Sequence, residues 1–118
     1  MKKIYLDYVS STPVDKNVLK KMGSIDDSFG NAGSLHYFGQ RAISIIDSSR
    51  QKIAELIRAD FDEIIFTSSA TEANNLALRG AFWAYKKNNF SSPKIIVSKI
   101  EHESILETAL DLKNFGAD

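Results

Sequence analysis

The stretch FTSSATEANN, residues 66–75, predicts the point where a buried strand ends and a helix begins. It continues the β-branched and aromatic run EIIFT, residues 63–67, which is typical of a strand buried on both faces. Ser69 and Glu72 then have the S-x-x-E spacing of a capping box, the pairing that opens many helices. We therefore predict a strand over residues 63–67 and a helix that begins at Ala70.

Outward from this turn, the hydrophobic pattern predicts alternating helices and strands. Apolar residues spaced by three, four and seven over residues 39–58 predict an amphipathic helix, and residues 70–88 predict another. The run KIIVS, residues 94–98, predicts a second buried strand, and a helix over residues 102–115 follows, with Gly116 as its C-terminal cap. This order indicates an α/β fold class, with helices packed on an incomplete, mostly parallel sheet.

The first part of the chain has a different character. A short extended start leads to a helix that Asp15 is expected to cap and Gly23 to end, and an irregular loop rich in glycine and asparagine follows. Residues 1–38 are therefore predicted to form an N-terminal arm and loop, and residues 39–118 the start of an α/β domain. Because only two strands are recognisable in 118 residues, we expect one partial domain.

The composition narrows the function classes. Lys and Arg together number 15, as do Asp and Glu, so the net charge is zero and gives no reason to expect nucleic acid or an anionic membrane as partner. No apolar stretch approaches the roughly 20 residues of a membrane span, and no signal-peptide pattern follows the basic start, so we expect a cytoplasmic protein. The chain has no cysteine, which excludes disulfides, thiolate metal sites and a cysteine nucleophile within it.

The turn at residues 69–71 combines the features of an anion site. The first N–H groups of a helix have no intrahelical acceptor, and the helix dipole makes this end positive. Thr71 adds a hydroxyl donor, and ligands of open α/β sheets bind beyond the carboxyl ends of the strands. The same residues also suit a capped surface helix without a ligand, and local physics leaves both interpretations open.

Two further segments offer polar side chains. His102 follows the second predicted strand and would lie near Thr71 if the two strands are parallel. Its imidazole suits stacking on a planar ligand, proton exchange or binding of a carboxylate, but a solvated histidine in the first turn of a helix is an equal alternative. The glycine-rich segment 29–39 carries Asn31 and His36, which by themselves indicate only a structured loop.

In this order, the motifs resemble the N-terminal part of the class V aminotransferase group, which are PLP-dependent enzymes of fold type I, and most closely its cysteine desulfurases. The resemblance is carried by Leu6-Asp7 and Ser11-Thr12-Pro13, then Gly30-Asn31, Ser34-Leu35-His36 and Phe38-Gly39, then residues 66–75, then Glu101-His102-Glu103. It covers essentially all of the chain, and ATEANN followed by EH is its most specific part.

The resemblance implies a role for four residues. Ala70 and Thr71 match the turn that binds the phosphate of pyridoxal 5′-phosphate (PLP), and His102 matches the histidine that stacks on the pyridine ring and assists proton transfer. Asn31 matches an asparagine in the loop that lines the substrate end of the pocket. Members of the family are homodimers that convert cysteine to alanine and hold the sulfur as a persulfide for iron–sulfur cluster or thio-cofactor synthesis.

The resemblance also implies groups that this chain does not contain. The reaction needs a lysine that forms a Schiff base, an aspartate paired with the pyridinium nitrogen and a cysteine that accepts the sulfur, all beyond position 118 in the family. We therefore expect a truncated or split chain that is inactive alone. The alternative is a non-catalytic assembly or dimerisation module that pairs with a full-length relative or a separately encoded remainder.

One departure from the family pattern lies in the phosphate turn itself. Ser69 stands where the family has a glycine. Because only glycine lacks a Cβ, we expect this serine either to crowd an anion or to require a different backbone angle.

Overall fold

The computed structural model describes residues 3–25, 29–89 and 91–118. Its backbone contacts divide the chain into two units, Met1–Ile64 and Ile65–Asp118. The elements in chain order are α1 (Lys16–Gly23), α2 (Tyr37–Ile57), a short 3₁₀ turn (Phe61–Glu63), α3 (Ala70–Asn88) and α4 (Glu103–Lys113). Among the described residues, every helix is too short or too polar to span a bilayer.

Helix α1 begins where the sequence predicts and ends at Gly23, one residue after the predicted last residue, Met22. The Asp15 carboxylate accepts the backbone N–H of Asn17 at 2.7 Å, which satisfies one of the free donors of the first turn. The helix ends at Gly23, after which the N–H of Ser24 donates to the carbonyl of Lys20 at 3.2 Å. The predicted N-cap is therefore confirmed, whereas Gly23 is the last residue of the helix and Ser24, not Gly23, follows it as the C-cap.

Helix α2 begins two residues before the predicted start, at Tyr37. His36 is its N-cap, and the Nδ1 of His36 accepts the N–H of Gly39 at 3.4 Å. At the other end Arg58 has a left-handed conformation with φ 57°, and the N–H of Ala59 donates to the carbonyl of Ala54 at 2.9 Å. This six-to-one bond is the mark of a Schellman motif, which usually has glycine at the left-handed position.

The loop before α2 is held against the first turn of that helix. The carbonyl of Asn31 accepts the N–H of Ser34 at 2.9 Å, and the Asn31 side chain accepts the N–H of Gly33 at 2.9 Å. A Cβ at Gly39 would lie 2.2 Å from the carbonyl oxygen of Ser34, and one at Gly30 would lie 2.3 Å from the main-chain oxygen of Phe38. The loop can therefore pack this closely only because both positions are glycine. Residues 26–28 of the predicted irregular loop lie outside the described residues.

The core of the first unit lies where α2 packs on the 3₁₀ turn. Ala54 and Ile64 are buried. The Arg50 guanidinium lies over the Phe61 ring, 5.4 Å from its centroid, and also donates to the carbonyl of Ile64. A cation over an aromatic ring and a hydrogen bond together fix the end of α2 against the turn that follows it.

The second unit is built around the contact between α3 and α4. Phe82 of α3 and Leu112 of α4 are its buried apolar residues. Arg79 and Asp111 form an ion pair at 2.8 Å between the two helices. Helix α3 has the predicted bounds, whereas α4 is shorter than predicted at both ends.

The end of α4 is a Schellman motif with the expected glycine. Gly116 has φ 95°, and its N–H donates to the carbonyl of Lys113 at 3.0 Å. The N–H of Ala117 donates to the carbonyl of Leu112 at 3.1 Å. Gly116 therefore has the capping position that the sequence predicts, although the regular helix ends before it.

Neither predicted strand is assigned as a strand in the described residues, so the predicted sheet stays a prediction. Residues 64–67 and 92–98 lie outside any helix, and Ile64 has an extended backbone. A strand is defined by its pairing, and residues 3–25, 29–89 and 91–118 contain only one such pairing. The N–H of Ile95 donates to the carbonyl of Asp118 at 2.8 Å, and the N–H of Asp118 donates to the carbonyl of Pro93 at 3.0 Å. This slanted arrangement is that of one rung between parallel strands, at residues 94 and 118.

Candidate functional site

The N-terminus of α3 is capped by the residues that the sequence singles out. The Ser69 hydroxyl accepts the N–H of Glu72 at 3.2 Å. The Glu72 carboxylate reaches back to Ser68, accepting its N–H at 2.7 Å and its hydroxyl at 2.6 Å. The reciprocal capping therefore involves two serines. Ser69, the N-cap, accepts from the helix, and the Glu72 carboxylate accepts from Ser68, the residue before the N-cap.

Ser69 does not need to be glycine for this turn to form. Its φ is −159° and its ψ is 161°, an extended backbone that any residue adopts. The Ser69 side chain serves as the helix cap, so a serine is accommodated in this turn. That it crowds an anion, or has a backbone angle different from that of the family's glycine, stays a prediction.

Ser68 also sets the charge state of this turn. Its hydroxyl, and then its backbone N–H, donate to the Glu72 carboxylate and lower the pKa of Glu72, because both bonds favour the charged form. Glu72 is therefore a stable anion beside the cap. Its charged form is favoured by Ser68, which lies two residues before the helix begins.

Donors for a ligand remain at the tip of α3. The N–H groups of Ala70 and Thr71 and the Thr71 hydroxyl donate to no acceptor among the described residues, and both residues are exposed. Two aligned N–H groups, one hydroxyl and the positive end of a 19-residue helix are the features of an anion-binding turn.

His102 is the N-cap of α4. The Nδ1 of His102 accepts the N–H of Ser104 at 3.1 Å, and the same nitrogen lies 2.9 Å from the Ser104 hydroxyl oxygen. A ring nitrogen that accepts a hydrogen bond carries no proton, so the neutral ring holds its proton on Nε2. The histidine is exposed, but it is not freely solvated, because its inner nitrogen is tied to the helix.

Thr71 and His102 line one cleft of about 530 Å³ in the second unit. The cleft is polar, and it runs between α3 and α4. Its other lining residues are Asn75, Arg79, Glu103, Ser104, Glu107, Thr108 and Asp111. The structure thus brings together two of the residues predicted from the sequence, and Ala70 directly precedes one of them.

The cleft contains residues that the sequence analysis missed. Arg79 donates from Nε to the Asn75 side chain at 3.1 Å in addition to its ion pair with Asp111. Thr71, Asn75 and Arg79 are spaced by four, so they lie on one face of α3. Because Thr71 was already a candidate, this spacing could have predicted Asn75 and Arg79 as neighbours in the site.

Asn31, the predicted substrate-binding residue, belongs to the first unit. There it is exposed, and its side chain is used in the loop, where it accepts the N–H of Gly33. Its role toward a substrate stays a prediction.

A second, larger cavity of about 750 Å³ adjoins α4 and shares Glu107 with the cleft of Thr71 and His102. It is lined by residues 94–97 and 99, by residues of α4 and by residues 117–118, and we refer to it as the edge groove. Its lining includes Ile96 and Leu110 and carries Lys94, Lys99 and Lys113 at its margin. Being mainly apolar and open beside an extended segment that has only one rung of pairing in the described residues, it has the character of an uncovered packing surface.

Comparison with known proteins identifies the group to which the chain is similar. The family model for aminotransferase class-V matches residues 4–118. The chain is 45% identical over 117 residues to the cysteine desulfurase IscS of Pseudoalteromonas translucida, and 50% identical over 118 residues to that of Buchnera aphidicola. Each alignment covers 96% of this chain and 28% of the relative, so the chain spans little more than a quarter of those proteins.

A solved structure of a NifS-like protein has the same fold over this region. The TM-score is 0.85 at 32% identity, and the match covers 99% of this chain and 32% of that one. The aminotransferase-like fold is therefore confirmed, as is the resemblance to the N-terminal part of cysteine desulfurases. Proteins of this group are PLP-dependent. With the family model matching from residue 4 to residue 118, the chain belongs to the aminotransferase class-V family.

Proposed function

We propose that this chain supplies the phosphate-binding turn and the ring-stacking histidine of a PLP-dependent cysteine desulfurase. The observation that carries the proposal is the common cleft of Thr71 and His102. The phosphate would be held by the N–H groups of Ala70 and Thr71 and by the Thr71 hydroxyl, with the ring of His102 beside the pyridine. Asn31 is proposed to face the substrate.

The residues present fit a phosphate group. A phosphate needs several donors, and the first turn of α3 offers them at the positive end of the helix dipole, although Glu72 in the same turn offsets part of that positive field. Glu72, the acidic residue of that turn, engages Ser68, so the N–H groups of Ala70 and Thr71 stay open to an anion. PLP, when bound, supplies the electron sink of the reaction, while the protein orients it and holds protons at defined atoms.

The sheet and the domain division are proposed from the resemblance to the family and from the pairing at residues 94 and 118. The single parallel rung between residues 94 and 118 supports a mostly parallel sheet, with residues 94–98 as one of its strands. We propose residues 1–38 as the arm and loop, and residues 39–118 as the start of the PLP-binding domain. Homodimer formation, a cytoplasmic location and a role in iron–sulfur cluster or thio-cofactor synthesis stay predictions.

Conversion of cysteine to alanine is proposed for a site that this chain only partly forms. Its 118 residues contain no cysteine, so they offer no thiolate to accept the sulfur. We therefore expect the chain alone to release neither sulfide nor alanine from cysteine in the presence of PLP. Release at a rate proportional to chain concentration would contradict this.

A second candidate function is assembly with a longer partner of the same family. The edge groove favours it, because Ile96 there is 88% exposed beside a strand-like segment with one rung. Co-expression with a tagged full-length relative tests it. Co-purification supports assembly, and a chain that elutes separately at all ratios opposes it.

The phosphate turn can be tested without the aldehyde that would react with surface lysines. We expect pyridoxine 5′-phosphate and inorganic phosphate, added to ¹⁵N-labelled chain, to shift the amide signals of Ala70 and Thr71 first. Thr71→Ala should weaken binding about tenfold, because a hydrogen bond to a charged group contributes roughly 1.5 kcal/mol or more. Thr71→Ser, which keeps the hydroxyl, and Thr12→Ala, which alters a threonine of the other unit, are the controls.

Two outcomes would contradict the proposed phosphate turn. In one, the two amides do not move at millimolar ligand. In the other, Thr71→Ala and Thr12→Ala bind equally well.

A further inference from the structure

We propose that Ser104, held in place by Asn74, is a positioning residue that fixes the ring plane and the tautomer of His102. The stacking of this ring on a planar ligand rests on the proposed function, whereas the fixed orientation of the ring does not. The three side chains form one continuous chain of contacts from α3, across the helix pair, to the N-cap of α4.

The hydrogen bonds of this chain have a single consistent direction. The Asn74 Nδ2 lies 2.9 Å from the Ser104 Oγ, and an amide NH₂ group can only donate. Ser104 Oγ thus accepts from Asn74, which leaves the Ser104 hydroxyl proton to donate to the Nδ1 of His102 at 2.9 Å. The relay therefore ends on an Nδ1 that acts as an acceptor.

Two donors from one residue converge on that nitrogen. The hydroxyl and the backbone N–H of Ser104 both contact Nδ1, the second at 3.1 Å. Moving the proton from Nε2 to Nδ1 would break the bond from the Ser104 N–H and would require the Ser104 hydroxyl to change from donor to acceptor, and turning the ring would break both bonds. The ring of His102 is therefore expected to present an Nε2–H in a fixed direction.

The burial of the three residues follows the same order. Asn74 and Ser104 are half-buried between the helices, whereas His102 is exposed. An exposed side chain has little packing of its own to hold it, so its orientation must come from hydrogen bonds to better-packed neighbours. For a ring that has to lie flat on a planar ligand, such a fixed plane is the feature that matters.

His36 shows that capping alone does not require the serine. It is also an N-cap, its Nδ1 accepts only the N–H of Gly39 from the parts of the chain that the structure describes, and that bond is longer at 3.4 Å. The Ser104 hydroxyl and the amide of Asn74 are thus additions to an ordinary histidine cap. They are found at the histidine that lines the cleft.

The test is a measurement of the imidazole nitrogens in the ligand-free chain. The sequence has two histidines, so two-bond ¹H–¹⁵N spectra above about pH 8, where histidine is neutral, contain two ring systems. We expect the wild-type His102 to be almost wholly the Nε2–H tautomer. In Ser104→Ala the ratio of the Nε2–H to the Nδ1–H tautomer should fall about fivefold, the change expected for loss of one hydrogen bond.

Matched variants separate positioning from a general structural effect. Ser104→Thr keeps the hydroxyl and should restore the wild-type ring shifts, and Asn74→Ala should give a smaller change than Ser104→Ala. Ser91→Ala, which removes the hydroxyl that contacts Tyr85, should leave His102 unchanged. His36 serves in every sample as the internal reference.

The inference is overturned if Ser104→Ala leaves the His102 nitrogens unchanged, or if Ser104→Thr shifts them as much as Ser104→Ala does. If Ser104→Ala fails to fold, the same two shifts read in Asn74→Ala and Ser104→Thr decide the question. Because no phosphate ligand is present, a negative phosphate titration would count against the proposed function while leaving this result intact. Conversely, unchanged ring shifts with normal phosphate binding would remove only the positioning role.

Discussion

Arg58 is the one residue other than glycine with a positive φ in the described parts of the chain. An L-residue with a side chain pays roughly 1 kcal/mol for this left-handed conformation, which glycine adopts freely. We expect Arg58→Gly to raise the free energy of unfolding by about 0.5–1 kcal/mol, measured by urea unfolding. Arg41→Gly, in the regular part of α2, is the control and should lower it by about 1 kcal/mol. A fall in stability for both variants would contradict the argument.

Glu72 gives a pH dependence whose sign follows from its hydrogen bonds. Folding lowers the pKa of Glu72, because Ser68 donates to the carboxylate from its hydroxyl and its N–H. A lowered pKa means that the stabilisation is complete above the unfolded pKa and is lost as the pH falls through the folded one. We expect a ¹³C titration of the carboxyl to show the low value, and Ser68→Ala to raise it toward that of an ordinary glutamate.

Protonation of Glu72 is also expected to lower the thermal stability of the second unit. Glu72→Gln is expected to remove part of the loss of thermal stability on acidification. Glu103→Gln removes the charge of a first-turn carboxylate that accepts no hydrogen bond among the described residues. It should therefore leave the loss of thermal stability on acidification largely unchanged. Equal effects of the two variants would sink the explanation.

At the level of elements, two helical glycines have opposite reasons for their effect on stability: Gly39 is required by close packing, whereas Gly80 is not. A Cβ at Gly39 would overlap the Ser34 carbonyl, whereas one at Gly80, within α3, would have nothing within 4 Å. We expect Gly39→Ala to cost about 1–3 kcal/mol of stability by overpacking. We expect Gly80→Ala to add up to about 1 kcal/mol through helix propensity. Thermal unfolding followed by circular dichroism measures both, and the same sign for the two would contradict the geometry.

Helices could be predicted from the sequence because their signals are local. Asp15 and Ser69 cap the helices they were predicted to cap, since a capping side chain and its N–H lie within three residues of each other. The start of α2 was missed because His36 is not one of the preferred N-cap residues. Strands could not be confirmed in the same way, because a strand requires a partner that lies elsewhere in the chain.

The candidate site could likewise be predicted only in part from the sequence. The proximity of Thr71 and His102 followed from the expected parallel arrangement, and the structure places both at one cleft. Ser104 was missed because its significance arises from packing between two helices, which brings Asn74 within hydrogen-bond distance from 30 positions away. No pattern within either helix indicates that contact.

For the molecule as a whole, the small core is the dominant physical fact. Ala54 and Ile64 are the buried apolar residues described in the first unit, and Phe82 and Leu112 those in the second. So few buried side chains contribute little to offset the entropy of ordering the chain. The isolated chain is accordingly expected to be marginally stable and to associate through exposed apolar surface.

This association is expected to depend on the edge groove. Ile96 lines it and is 88% exposed, while Ile100 does not line it and is 93% exposed. We expect Ile96→Lys to reduce self-association in sedimentation velocity clearly more than Ile100→Lys, since both add one charge but only the first lies in the groove. Equal reduction by both would assign the effect to net charge, and a concentration-independent monomer would contradict the association itself.

The rung between residues 94 and 118 has a consequence for the order of folding. It closes a parallel crossover through α4 over a shorter stretch than the contacts Asn74–Ser104 and Arg79–Asp111, which span 30 and 32 residues. Loop closure costs less entropy for shorter loops, so this rung is available to the folding chain at an earlier moment. In kinetic terms, we expect the crossover to form early in the folding of the second unit, which early protection of the Ile95 amide in pulse-labelling hydrogen exchange would reveal.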